Sequence, residues 1–471
     1  MTTAPVTVEV LTAAAAEGAQ RRAAGSLRRA GLGAGDRVAI CLPSSAALLC
    51  TVLGALRIGV VPVLLNATLL DAERDALIED ADPALVITEP GQLAVLDSGP
   101  GVELSPYPLS RPMHYTSGTT GRAKGVWAGL WDASMAEAAF LDEADLWAFG
   151  RQDVHLVCSP MYHSVSIRFA GGTLLRGGSC VILGRFDAET AAEVLRGRHG
   201  PRPTTTFMAP AALSRLLAVI DGPPDSAADS PVDGDPAVLD SLRLLVHAGS
   251  PCPPPLKRRA LEAVGPGVLW EFYGSTEGQF TVCSPSEWSE RTGTVGRARP
   301  GRSLAVDDDG TIWCTPPAFA RFSYWGDEAK TEAAWRGGAF TVGDLGRLDD
   351  AGYLFIDGRR DDLIISGGVN VYPAEVEAVL AEAPGVAEVV VFGVPDERWG
   401  QRVCAAVVPG ASWGLPPGSA DHRSLVDSVA DYASTRLAAY KRPKTWVVLE
   451  DLPRTATGKV QRHRIAEQLR L

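Results

Sequence analysis

The stretch Tyr115-Thr116-Ser117-Gly118-Thr119-Thr120-Gly121-Arg122-Ala123-Lys124-Gly125-Val126 sets hydroxyls, glycines and a lysine in alternation. That is the material of a phosphate cradle. Glycine opens backbone conformations closed to other residues and lets the chain approach a ligand closely. Successive N–H groups and hydroxyls then converge on phosphate oxygens as a nest, and Lys124 adds a cation. The Gly-Lys-Ser/Thr ending of a Walker A loop does not follow, so the string is not that signature.

It resembles instead the phosphate-binding signature of the superfamily of acyl-CoA synthetases, non-ribosomal peptide adenylation domains and luciferases, whose further motifs occur here in the family's order. The resemblance implies that Thr116, Ser117, Gly118, Thr119, Thr120, Gly121 and Lys124 bind the phosphates of ATP. Pro160-Met161-Tyr162-His163 is similar to the aromatic motif before the acyl pocket, which places His163 near the substrate carboxylate. His247-Ala248-Gly249-Ser250-Pro251 is similar to a turn lining the adenine pocket, and Gly249 and Ser250 carry over.

Tyr273-Gly274-Ser275-Thr276-Glu277 matches the family's YGxTE motif. There Tyr273 offers a flat face to adenine, Gly274 keeps the backbone close to the nucleotide, and Thr276 donates to the α-phosphate. Glu277 is a hard oxygen ligand suited to Mg²⁺; Thr116 is the second residue expected near the metal. Thr341-Val342-Gly343-Asp344 resembles the TGD-type motif with Val342 intervening, and Asp344 is expected to accept from the ribose hydroxyls. Gly358-Arg359-Arg360-Asp361-Asp362 resembles the hinge motif: Arg359 for ribose or phosphate, Asp361 as pivot. Gly367 and Gly368 then belong to a loop approaching a pantetheine thiol, as in acyl- and aryl-CoA ligases. Pro453-Arg454-Thr455-Ala456-Thr457-Gly458-Lys459 is similar to the C-terminal lysine motif, with Lys459 on the substrate carboxylate and α-phosphate.

The resemblance implies an ATP- and Mg²⁺-dependent ligase. A carboxylate attacks the α-phosphorus, giving acyl-AMP and pyrophosphate, and the acyl group passes to a thiol, that of coenzyme A. Negative oxygens must approach one another, so charge neutralisation dominates such catalysis. Thr276, Glu277, His163 and Lys459 are the expected catalytic residues. Three other readings stay open: transfer to a separate carrier protein, activation of nitrite for diazotisation of an arylamine, and a non-catalytic nucleotide- or acyl-binding homologue.

These motifs need elements to hold them. Asp36–Cys41, Val60–Leu65 and Ala84–Thr88 read as strands and Ser45–Ile58 as a helix. This alternation predicts right-handed βαβ units and a mostly parallel sheet. Residues 307–310 and 349–352 read as turns of antiparallel hairpins, and residues 220–236 as a surface loop. After residue 360 a compact α+β pattern follows: strands Leu363–Ile365, Val386–Phe392, Val403–Val408 and Thr445–Leu449, with helices Pro373–Ala383 and Ser424–Leu437. The expectation is an α/β fold: an AMP-binding domain over 1–360, with parallel sheets and a β-rich subdomain, and a mobile α+β domain over 361–471 hinged at Asp361.

The 471 residues exceed what one hydrophobic core organises. A net charge of −12 argues against nucleic-acid or anionic-membrane partners. The apolar run 46–65 contains Arg57, Gly54, Gly59 and Pro62, which argues against a membrane span. No signal peptide is evident, and the eight cysteines form no CxxC pair. The expected setting is cytoplasmic, with thiols reduced.

Overall fold

The strands Arg37–Ile40, Val61–Leu64 and Leu85–Ile87 pair in parallel and are joined by the helices Ala46–Leu56 and Asp71–Ala81. This is the βαβ alternation expected from the sequence. The computed structural model describes residues 6–116, 123–222, 238–366, 369–396, 398–410, 421–454 and 460–468.

The sheet containing those strands runs Ser323–Tyr324, Lys124–Trp127, Met113–Thr116, Val61–Leu64, Arg37–Ile40, Leu85–Ile87. It is parallel at one side and antiparallel at the other, because Lys124–Trp127 returns on Met113–Thr116 as a hairpin. A second sheet runs Val8–Thr12, Ser179–Leu183, Val154–Val157, Thr205–Met208, Leu244–His247, Leu269–Glu271. Only its first strand pairs antiparallel.

Helices Ala13–Arg29, Ala46–Leu56 and Ser164–Leu175 share a core with side chains from both sheets, among them Leu27, Leu49, Ile40, Val157 and Ile182. Gly54 makes one of these contacts possible. A Cβ there would lie 2.5 Å from the Gln20 carbonyl oxygen, so only glycine lets the two helices close to that distance. Arg57 ends the apolar helix buried, donating to the Ser105 carbonyl at 2.7 Å and Gln20 at 2.9 Å and pairing with Glu17. Among the described residues no helix is long and apolar enough to cross a membrane.

The β-rich part contains the hairpins anticipated at the two Asp-rich turns. Ser303–Val306 pairs with Ile312–Thr315, and Asp344–Leu348 with Leu354–Arg359. Gly310 (φ +83°) and Gly352 (φ +80°) sit in the left-handed region that each turn requires.

A separate sheet follows. Val369–Val371, Ile364–Ser366, Gly400–Pro409 and Val386–Asp396 lie in that order, and Thr445–Val448 pairs parallel with Gly400–Pro409. Helices Pro373–Leu380 and Asp421–Arg436 cover it through Val376, Leu380, Leu425 and Val429. The strands from Val386 and to Pro409 run longer than their side-chain pattern suggested, because each is paired with the other as far as Asp396 and Gly400. The chain is thus an α/β protein of two-domain architecture. The expected surface loop at 220–236 lies mostly outside the described residues.

Candidate active site

Four separated segments meet on one cleft. The first is the hairpin whose arms are Met113–Thr116 and Lys124–Trp127, with Thr116 directly opposite Lys124. Thr116 and Lys124 are described. Ser117, Gly118, Thr119, Thr120 and Gly121, at the hairpin tip, lie outside the described residues.

The second segment is Tyr273–Glu277. It begins where the strand Leu269–Glu271 leaves the second sheet and bends back on itself, with Gly274 bridged to Gln279. The structure supplies a reason for Gly274 that differs from nucleotide proximity: a Cβ there would stand 2.8 Å from the Gly278 carbonyl oxygen. The turn must be tight for Glu277 to turn inward, where it is 7% exposed.

The third segment is Ser323–Tyr324, the edge strand beside Lys124–Trp127. The Tyr324 hydroxyl donates to Glu277 at 3.0 Å, and Lys124 Nζ lies 5.7 Å from the centre of the Tyr324 ring. Tyr324 therefore connects the phosphate-loop lysine to the acidic residue of the second motif. The sequence offered no signal for it. Its phenol pKa is pushed above the ordinary value, first by burial and then by the Glu277 charge.

The fourth segment is the hairpin from Asp344 to Arg359. Asp344 is 6% exposed, accepts from the Tyr273 hydroxyl at 2.5 Å and pairs with Arg359 Nε at 3.0 Å. Gly343 (φ +81°) donates to Thr341 Oγ1 at 3.2 Å, and Val342 packs partly buried against the β-rich core while Asp344 is buried. Glu277 also bears on the Arg359 charge, after Asp344, Tyr273 and Asp362. Lys124, Glu277, Tyr273, Asp344 and Arg359 thus share one cleft.

His163 caps the helix Ser164–Leu175, its ring 4.5 Å from that of Tyr162. His114 lies beneath it, its Nδ1 2.9 Å from the Tyr162 carbonyl oxygen. Burial first, and the neighbouring His163 second, lower the His114 pKa to about 3, so it is neutral. Ser164, His114, Ser275 and Thr276 line a narrow cavity together with Arg111 and Arg168. Arg168, a charge within the apolar helix Ser164–Leu175, has its Nε 3.3 Å from Glu143. Arg111 carried no signal except a charge just before an apolar strand.

Gly249 (φ +92°) makes the turn after Leu244–His247, and Ser250 follows it. His247 itself is fully buried beside the Lys257–Glu271 ion pair, away from solvent. Arg360–Asp362 forms a 3₁₀ turn entering the C-terminal sheet. Arg462 reaches from the last helix to Asp362 at 3.3 Å and to Glu377 at 2.8 Å. Gly367, Gly368 and Lys459 lie outside the described residues.

The residues present fit Mg²⁺ and a nucleotide in donor chemistry. Glu277 is an enclosed hard oxygen donor, and Mg²⁺ is held by one or two carboxylates plus phosphates rather than by an all-protein cage. Among the described residues no group of three His, Cys, Asp or Glu side chains collects at a common point. Asp344 is an enclosed acceptor placed beside an arginine.

Comparison with known proteins agrees with this arrangement. Residues 3–106 and 112–317 match the family described as AMP-binding enzyme, and residues 375–459 its C-terminal domain. The chain belongs to that family, the adenylate-forming ligases. It is 31% identical to a 2-succinylbenzoate–CoA ligase of Bacillus licheniformis, over 94% of this chain and 92% of that protein. It is also 31% identical to an indoleacetate–CoA ligase of Aromatoleum aromaticum, over 94% and 90%. Among solved structures, ATP-bound MatB from Rhodopseudomonas palustris superposes with a TM-score of 0.79 at 28% identity, covering 97% of this chain and 93% of that one. The o-succinylbenzoate–CoA synthetase of Bacillus subtilis with ATP and magnesium gives 0.76 at 28%, covering 96% and 93%.

Proposed function

We propose that this protein uses Mg·ATP to activate a small-molecule acid as an acyl-adenylate, releasing pyrophosphate, and then transfers the acyl group to the thiol of coenzyme A. The observation that carries the reading is the convergence of Lys124, Tyr324 and Glu277 with Tyr273, Asp344 and Arg359 on one cleft. The names of the relatives, ligases of succinylbenzoate or indoleacetate to CoA, support the same reaction type.

On this reading each residue takes a task. Asp344 accepts from the ribose hydroxyls while Arg359 and Tyr273 hold its carboxylate in position. The Tyr273 ring, backed by Phe280 at 4.8 Å, turns its other face to the adenine, in a pocket completed by Gly249, Ser250, Gly274 and Ser275. Thr276 donates to the α-phosphate. Residues 116–124 hold the outer phosphates. Glu277, with Thr116 close by, would hold Mg²⁺, which would supply neutralisation of the phosphate charge. The acid oxygen attacks phosphorus near His163, its carboxylate steadied by Lys459. No covalent enzyme intermediate is needed. The C-terminal domain, cut at Asp361, then rotates so that Lys459 withdraws and Gly367-Gly368 brings the thiol. The eight cysteines are free thiols, which supports a cytoplasmic, reducing setting.

The test is pyrophosphate and AMP formation from ATP across a panel of acids, with and without CoA. CoA-dependent thioester supports the proposal. AMP without thioester redirects it to a carrier protein or, if nitrite and an arylamine are needed, to diazotisation. No AMP with any acid rejects adenylation.

A further inference from the structure

The cavity beside Thr276 is small and positively charged. It occupies about 40 Å³, room for a few heavy atoms. Its wall includes Arg111, Arg168, His114, Ser275 and Gln279. Below it an aromatic layer of Phe169, Phe207, Phe272 and Trp147 fills the space between the helix Ser164–Leu175 and the second sheet.

The charges around the cavity do not balance. Asp142 is shared by Arg299 at 2.7 Å and Arg302 at 2.9 Å. Glu143 is shared by Arg299 at 2.9 Å and Arg168 at 3.3 Å, and also accepts from Gln279 and the Trp147 indole. Among the described residues, the more distant Glu277 offsets Arg111. Among the described residues, four guanidiniums therefore face three carboxylates, and one of those three is committed to the nucleotide end of the cleft.

Hydrogen-bond capacity is unmatched in the same place. Nη2 of Arg111, Nη2 and Nε of Arg168 and the Ser275 hydroxyl are enclosed without hydrogen-bond partners among the described residues. Arg168 Nε is near Glu143 but not in line with it. Burial, with the charges of Arg168 and Arg302 adding to it, pulls the Arg111 pKa down to about 10, still cationic at neutral pH. Enclosed guanidinium donors without acceptors are costly, and a planar oxyanion is the group that a guanidinium fork matches. His114 Nε2 and Gln279 Oε1 are enclosed acceptors on the same wall.

We propose that Arg111 and Arg168 form a compact oxyanion site that selects the acid substrate: a short dicarboxylate, whose second carboxylate they hold, or a bare small oxyanion, in preference to apolar monocarboxylates. The inference rests on the adenylation reading for its reaction. An oxygen of the bound acid forms the new bond to the α-phosphorus, the α–β bridging bond breaks, and pyrophosphate leaves with its electron pair. Arg111 and Arg168 are specificity-determining residues in this step.

Pyrophosphate release from Mg·ATP is measured with malonate, succinate and glutarate, with formate and nitrite, and with propionate, butyrate, hexanoate and benzoate. The expected result is a kcat/KM at least tenfold higher for members of the first two groups, and the preferred group identifies the source of the anion. Arg168→Gln and Arg111→Gln should each raise the acid KM at least tenfold with the Kd for ATP unchanged, and Arg111→Lys should recover part of the loss. Thermal melting shows which variants are folded; Arg111→Gln leaves the Glu143 network intact and serves if Arg168→Gln does not fold. Apolar acids equal to or better than the anions overturn the proposal. So does an Arg111→Gln effect that falls on ATP affinity instead of the acid. If no acid releases pyrophosphate, calorimetric titration of malonate, succinate, formate and nitrite into the protein saturated with α,β-methylene-ATP separates the two claims. Binding that Arg111→Gln abolishes upholds the anion site and rejects adenylation; no binding of any of these anions overturns the site.

Discussion

The Tyr273 hydroxyl donates a 2.5 Å hydrogen bond to Asp344, joining residues 71 positions apart across the cleft. The phenol itself does not ionise, since burial and then the Asp344 charge push its pKa well up. Its contribution is to fix one carboxylate oxygen while Arg359 fixes the other. A hydrogen bond to a charged group contributes about 1.5–3 kcal/mol, or roughly a tenfold change in affinity or more. Asp344→Asn should therefore raise the ATP Kd by about tenfold or more, and Tyr273→Phe by less, since it removes one donor and leaves the charge. Titration with a fluorescent ATP analogue measures both. An unchanged Kd in Asp344→Asn would remove Asp344 from the nucleotide site.

Lys459 and Glu277 are assigned to the same half-reaction from opposite ends of the chain. Removing a preorganised charge from such a site costs about 10²–10³ in rate. Lys459→Ala should lower ATP–pyrophosphate exchange by that factor, yet leave thioester formation from a supplied acyl-adenylate within a few-fold of the parent. Glu277→Gln should lower the same exchange and shift its Mg²⁺ dependence to higher concentration. Equal loss of both half-reactions in Lys459→Ala would contradict a lysine that acts in one domain orientation only.

The chemistry was legible in the sequence where neighbouring residues do one job. Tyr273 to Glu277 is contiguous, and its turn is built by local glycines, so reading along the chain was enough. Asp344 was legible despite Val342, because Gly343 provides the turn that points it inward. The network around Glu143 was not. Arg299 lies 156 residues away from it, and nothing local to either residue announces the pair. Tyr324 was invisible for the same reason: a short edge strand places it beside Lys124 and Glu277 only after the sheet has formed. Arg168 could be noticed as a charge in an apolar helix, but whether it was satisfied by Glu143 or left with spare donors depended on angles that a sequence does not contain.

The buried Lys257–Glu271 pair lies close to the Gly249–Ser250 turn and bears on stability there. Lys257 is 1% exposed and also lies over the Trp288 ring, while His247 is 3.9 Å from the same carboxylate. Burial raises the Glu271 pKa, and Lys257 pulls it back. Lys257→Met strands a carboxylate in the core, a change costing about 3–5 kcal/mol. Lys257→Met combined with Glu271→Leu should cost less than Lys257→Met alone, because the double variant leaves no unpaired charge. Urea unfolding of the single and double variants reads the difference. Additive losses would mean the pair is not coupled.

Enclosed histidines set an acid limit on the fold, His155 and His114 among them. His155, hydrogen-bonded to Thr205 Oγ1 at 2.9 Å, has its pKa lowered to about 3 by burial, as has His114 by burial and by His163. Both are lowered from an ordinary value of 6.5. The unfolded chain therefore binds these two protons first as pH falls. Their contribution to stability is fully present above pH 6.5 and is lost on descending from there towards pH 3. At pH 5 the loss is about 2 kcal/mol for each histidine. Urea unfolding between pH 7.5 and pH 5 should show that decline. His155→Gln, whatever its cost at neutral pH, should flatten the slope by about one proton. A slope identical in the two proteins would mean that His155 is already protonated in the folded core.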